Sequence, residues 1–170
     1  MPVRRRIVPI LATCVAALVT ITAVFALHSG GGTTAAPGPA TPPSTSPPSV
    51  AGACTGLSAT TITSGQGDTS TMPGVIAAFE YAYYHLRSAA AAMLLLTPEA
   101  AISAETLAAG IASIPIGTMH CVAITPIADT AANVHLAELH PDHTRTDYLQ
   151  VINLRSVGAG PLISNIQRQG

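Results

Sequence analysis

A chain of 170 residues with seven arginines, no lysine and eight acids lacks the clustered cations that phosphate binding requires, which excludes a nucleic-acid partner. Three of those arginines stand together as Arg4, Arg5 and Arg6, so everything after them carries four arginines against all eight acids. The mean hydropathy of +0.45 comes from alanine, scarce charge and one N-terminal apolar run, and it excludes a polytopic membrane protein because no second run approaches the roughly 18 residues of a span.

That run extends from Ile7 to Leu27. As a helix it rises about 31 Å, enough for a hydrocarbon core of about 30 Å, and the arginines before it hold its start on the cytoplasmic side. The expected plan is a cytoplasmic tail at 1–6, a transmembrane helix at 7–27 and an extracytoplasmic remainder. A cleaved signal peptide ending near Val24-Phe25-Ala26 is the rival reading. The length of the apolar run, beyond that of an ordinary signal core, favours a single-pass anchor in the cell membrane.

Residues 28–52 contain Gly30, Gly31 and Gly32 followed by six prolines between Pro37 and Pro48 among Ser, Thr and Ala. Such a composition buries little apolar surface and predicts a disordered linker. One domain at 53–170 follows by size. Its cysteines, Cys54 and Cys121, are the only two beyond the apolar run. In an oxidising compartment they allow one intramolecular disulfide; free thiols or an intermolecular bridge are the alternatives.

Within the domain, apolar residues recur at three- and four-residue steps from Pro73 to Leu96 and predict one long amphipathic helix, with Thr71 near its start. Pro98 opens a short second turn, and Ser103 caps a third helix, Ala104 to Ser113. Beyond Pro115 and Gly117 the sequence turns to short Val-, Ile- and Leu-rich segments. Strands are expected at Met119 to Thr125, Asn133 to Leu139, Asp147 to Arg155 and Leu162 to Gln167, paired as an antiparallel meander. The fold class is α+β, with helices on one face of the sheet.

A single span, a spacer, a long helix bearing Ala77, Ala78, Phe79 and Tyr83, two short helices and a curved antiparallel sheet resemble the cone-shaped fold of nuclear-transport-factor and SnoaL-like proteins over Gly67 to Gln167. The run GIASIPIGTMHC, Gly110 to Cys121, is similar to exported actinobacterial proteins of unknown function. The resemblance implies either acids and bases inside a cone or a membrane-anchored scaffold of a secretion or envelope transport assembly. Fold alone does not choose between them.

The candidate pocket residues are Glu80 and Tyr83 from the long helix and His120 and His135 from neighbouring strands, where a buried carboxyl or imidazole has a shifted pKa. Set against this is a plainer arrangement: Glu80, Tyr84 and Arg87 on an exposed helix face, and the two histidines partly buried with satisfied rings. His140-Pro141-Asp142-His143 is the densest polar group. Its composition is that of a solvent-exposed turn, and no metal or other cofactor is expected. Phosphate loops, nucleophile elbows and zinc-helix motifs are missing from the sequence. The expectation is therefore a non-enzymatic interaction or scaffold module with a protein partner in the cell envelope and a largely filled core; a small-ligand-binding or SnoaL-like enzyme domain is the alternative.

Overall fold

The computed structural model describes residues 49–170 apart from residue 159. The expected tail at 1–6, spanning helix at 7–27 and linker up to residue 48 lie outside the described residues. Among the described residues no helix is long and apolar enough to cross a membrane.

The order of elements is α1 (Val50–Cys54), β1 (Thr61–Thr63), α2 (Met72–Tyr84), α3 (Ala89–Met93), a 3-10 turn (Pro98–Ala100), α4 (Ala104–Ser113), β2 (Met119–Ala128), β3 (Ala131–Leu139), β4 (Arg145–Val157) and β5 (Gly160–Arg168). All five strands pair antiparallel in the order β1-β2-β3-β4-β5. Sequence neighbours are spatial neighbours throughout β2 to β5 because their connections are short, two residues at Asp129-Thr130 and five between Leu139 and Arg145.

Hydrogen-bonding side chains set the helix starts. Thr71 accepts from the Gly74 amide, Ser88 from Ala91 and Ser103 from Thr106, each satisfying a donor that the first turn leaves free. The same chemistry corrects two expectations. Ser49 accepts from Gly52 N and starts α1, so the last residues of the expected linker, Val50–Gly52, are helical and the domain begins before residue 53. The single helix from Pro73 to Leu96 is two helices. Arg87 sits at φ 49° and Ser88 caps α3, which frees the Arg87 guanidinium to donate to the carbonyls of Ile111 and Ile114 at 2.6 and 3.0 Å, closing the end of α4. Helical periodicity continues through this break because both pieces bury the same kind of apolar stripe.

Alternation decides what each sheet face covers. His120, Val122 and Ile124 of β2 stand opposite Glu138, Leu136 and Val134 of β3; Leu136 and Val134 stand opposite Tyr148 and Gln150 of β4. This face packs against Val75, Ile76 and Phe79 of α2 and Leu107 of α4 in one buried cluster. On the other face Cys121 and Ala123 are buried; there Cys54 of α1 is bonded to Cys121, 67 residues away. The expected disulfide is present. Arg145 reinforces it by donating to the carbonyls of Ala53 and Thr55 at 3.3 and 2.8 Å. The outer edge of β5 is partly covered: Ile163 exchanges backbone hydrogen bonds with Leu95 and Thr97, both at 2.9 Å.

Phe79 is buried in the core and stacks on Tyr83 with centroids 6.3 Å apart. Phe79→Ala is expected to destabilise the domain by about 3 kcal/mol, the lower end of the range for such truncations, because part of its ring borders open space rather than packed atoms. Chemical denaturation of the full-length chain checks it; a change under about 1 kcal/mol, as at a surface site, contradicts the packing described.

Candidate functional site

The helix and the sheet do not close on each other completely. Between α2, the end of α4 and the inner face of β3 and β4 lies a cavity of about 410 Å³, within the size range of small-molecule sites. The expected filled core is thus corrected. Val75, Ile76, Val122, Ile124 and Ile152 are packed in the buried cluster, while the cavity is lined by Glu80, Tyr83, Tyr84, Glu138, His140 and Tyr148 with Phe79 and Ile166 as apolar walls.

Glu80 arrives there by helical spacing: Ile76, Glu80 and Tyr84 follow at four-residue steps and all three are buried. The residue is 3% exposed, which corrects the alternative in which it sits on an exposed face with Tyr84. Burial first, then the nearby Glu138 charge, push its pKa up to about 8, and no hydrogen bond to the ionised form opposes them. At neutral pH Glu80 carries a proton. It is a carboxylic acid aimed into an open pocket.

Glu138 arrives by strand alternation. Ala132, Val134 and Leu136 point at the helices and are buried, and Glu138 is the next member of that series, 6% exposed. Its carboxylate has partners that Glu80 lacks. Tyr84 donates a short hydrogen bond to Oε1, while the His140 ring lies 3.0 Å and the Tyr148 hydroxyl 3.5 Å from Oε2. Burial raises the pKa of Tyr83, Tyr84 and Tyr148, with Glu138 adding to it in all three and Glu80 in the first two, so all three phenols stay protonated. His140 was expected in a solvent-exposed turn. The turn is there, with His143 at its left-handed position, but the His140 side chain folds back onto Glu138 and is only 22% exposed.

Of the four residues proposed from the sequence, Glu80 and Tyr83 line the cavity and the two histidines do not. His120 lies one layer behind, its ring stacked on Tyr84 with centroids 4.9 Å apart. Burial, and secondarily the His85 charge, lower its pKa to about 4, and its Nε2 is buried without a partner. His135 is on the opposite face. Its cross-strand partner is Ala123, whereas that of His120 is Glu138, and an odd offset within a strand reverses the side-chain direction. There it sits 2.7 Å from Asp147, itself held by Arg145 at 2.9 Å; that arginine, then His135, keep the Asp147 carboxyl below its ordinary range.

Gly110 shapes the mouth. A Cβ at this position would lie 2.1 Å from the Tyr83 hydroxyl, so the absent side chain is what lets the phenol lean over α4. The lining also holds the Gln150 Oε1, buried and without a hydrogen-bond partner. Chemically the site offers one neutral acid, one carboxylate already bridged by donors, an idle amide oxygen and several aromatic faces. A family model described as Domain of unknown function (DUF8176) matches residues 51–167. No curated protein and no solved structure matches.

Proposed function

We propose that this chain, which belongs to the family of domains of unknown function DUF8176, carries a small-ligand-binding domain on the outer side of a membrane. The observation that carries the proposal is the Glu80 carboxyl, 3% exposed and open to the cavity without a hydrogen bond. Its oxygens meet the cavity rather than a protein partner, which leaves them for a bound ligand to satisfy. This favours the ligand-binding alternative over a scaffold, whose stability would gain from an apolar residue at the same position.

The setting rests on the arginines ahead of the apolar run from Ile7 to Leu27 and on the Cys54–Cys121 bridge, which suits an oxidising compartment. A single-pass anchor with a spacer presents the domain to the cell envelope. The helices α2 and α4 on one face of a meander whose register shifts at Pro126/Ala128 and at Asn153/Leu154 suit the cone-shaped architecture of nuclear-transport-factor and SnoaL-like proteins, since such irregularities bend strands. The reading is binding rather than catalysis. His120 stacks on Tyr84 and is not among the residues lining the cavity, and burial lowers its pKa to about 4, away from the neutral range that acid–base catalysis needs.

The test is a fragment screen by saturation-transfer NMR on the full-length protein in nonionic detergent, repeated with Ser113→Trp. Ser113 is an exposed residue on the cavity rim, so the indole covers the mouth without entering the core. Fragments that bind the parent and are lost from the variant are expected. Absence of binders, or binders indifferent to the substitution, contradicts the proposal.

A further inference from the structure

Resting on the reading of this cavity as a ligand site, we infer its ligand class: the cavity receives a primary ammonium group borne on an apolar body, the cation between Glu80 and Glu138 and the apolar part against Phe79, Tyr83 and Tyr148.

Charge is the first ground. Two carboxyls line the cavity and no arginine does. Arg87 donates to the Ile111 and Ile114 carbonyls, Arg145 pairs with Asp147 on the opposite face and Arg155 with Glu99; Arg168 is exposed, 5.7 Å from the centroid of the Tyr148 ring, and is not part of the lining. An anionic ligand finds two carboxyls and no arginine or lysine in the lining, and the one histidine there, His140, is bound to Glu138. Donor and acceptor balance is the second ground. Of the lining groups that make no hydrogen bond, the Glu80 carboxyl and the buried Gln150 Oε1 can accept and the Tyr83 hydroxyl can accept as well as donate, and an ammonium supplies three donors and no acceptor. The third is the aromatic lining, whose ring faces attract a cation and cover an apolar body equally well.

Glu80 must give up its proton to pair with an ammonium, so binding is linked to pH. The groups around it are Tyr83 and Tyr84 on its own helix, Arg87 just beyond, Glu138 on β3, Tyr148 and Gln150 on β4, His140 on the turn, and His120 behind Tyr84. Ammonium affinity should rise about tenfold per pH unit up to about pH 8 and level off above it. An alkylammonium stays charged to about pH 10, so the ligand itself does not produce this profile.

The chain has four tyrosines and no tryptophan, and Tyr83, Tyr84 and Tyr148 line the cavity, which makes tyrosine emission a reporter of its occupancy. The full-length protein in dodecylmaltoside is titrated with three molecules of one shape: cyclohexylmethylamine, cyclohexylmethanol and cyclohexanecarboxylate. The amine is expected to bind roughly tenfold or more tighter than the alcohol at pH 8, with the carboxylate weakest, as charge-assisted hydrogen bonds require. Glu80→Gln is expected to weaken the amine roughly 10- to 100-fold and to flatten its pH profile, with a smaller effect on the alcohol, which makes no charge-assisted bond there. If the alcohol or carboxylate binds as well as the amine, the ammonium assignment is overturned while the ligand site stands. If none of the three perturbs the emission, both fall together.

Discussion

The domain is expected to hold its stability between about pH 4.5 and 6.5 and then to lose on the order of 2 kcal/mol by about pH 8. Two buried groups with opposite signs produce this shape. Glu80 has its folded pKa raised from 4.5 to about 8, so its contribution is complete below pH 4.5 and declines as pH rises to 8. His120 has its folded pKa lowered from 6.5 to about 4, so its contribution is complete above pH 6.5 and is lost as pH falls towards 4. Between 4.5 and 6.5 the two slopes oppose each other; above 6.5 only that of Glu80 remains. The other shifted carboxyls, Asp68, Glu99, Asp142 and Asp147, have lowered values and act below this window. Glu80→Gln keeps the shape of the neutral acid and removes its titration. Stability of that variant should rise from pH 4.5 to 6.5 and stay level to pH 8. Urea denaturation across this range, followed by tyrosine emission, separates the two. A parent protein with no loss above pH 6.5, or an equal loss in the variant, refutes the assignment of a neutral buried Glu80.

Replacing both bridged cysteines, Cys54→Ala with Cys121→Ala, is expected to cost about 4 kcal/mol, the loop-closure entropy for a separation of 67 residues. The physical reason lies in α1. A helix of five residues has no stability of its own, and what fixes it to the sheet is the bridge plus two hydrogen bonds from Arg145. Without the bridge α1 should detach, exposing Ala123 on the outer face of β2, while the inner face and the cavity keep their packing. Hydrogen exchange should show protection lost over α1, while β3 and β4 remain the best-protected elements and lose only what the fall in global stability removes. A destabilisation below about 1 kcal/mol would mean that α1 is held by its packing alone.

The sequence carried the fold further than the site. α4 is bounded as its cap implied, because Ser103 before the helix and Pro115 after it are local signals. The four main strands run two to four residues longer than their apolar patterns predict, because ladder pairing continues into residues such as Arg145, Ser156 and Arg168. The division of α2 from α3 was not legible, since Arg87 takes its left-handed φ to reach carbonyls 24 and 27 residues away. α1 and β1 are too short to leave a periodic signal, and α1 follows proline-rich sequence that masks it.

For the site, Glu80 and Tyr83 could be named because helix spacing places them near Phe79 on one face. Glu138, the centre of the hydrogen-bonded cluster, was passed over although the buried series Ala132, Val134, Leu136 leads directly to it. Extending an apolar alternation by one more step would have found it. His120 and His135 were grouped on residue type, yet only register reveals that they face opposite ways, and register is a property of the pairing rather than of either strand.

The central claim is that Glu80 is a protonated, unpartnered acid facing an open cavity. Carbon-13 labelling at the glutamate side-chain carboxyl reads it directly in the full-length protein, with Glu80→Gln identifying its resonance among the four glutamates. A Glu80 midpoint near pH 8 is the expected result; a midpoint near the ordinary glutamate value of about 4.3 would contradict the account.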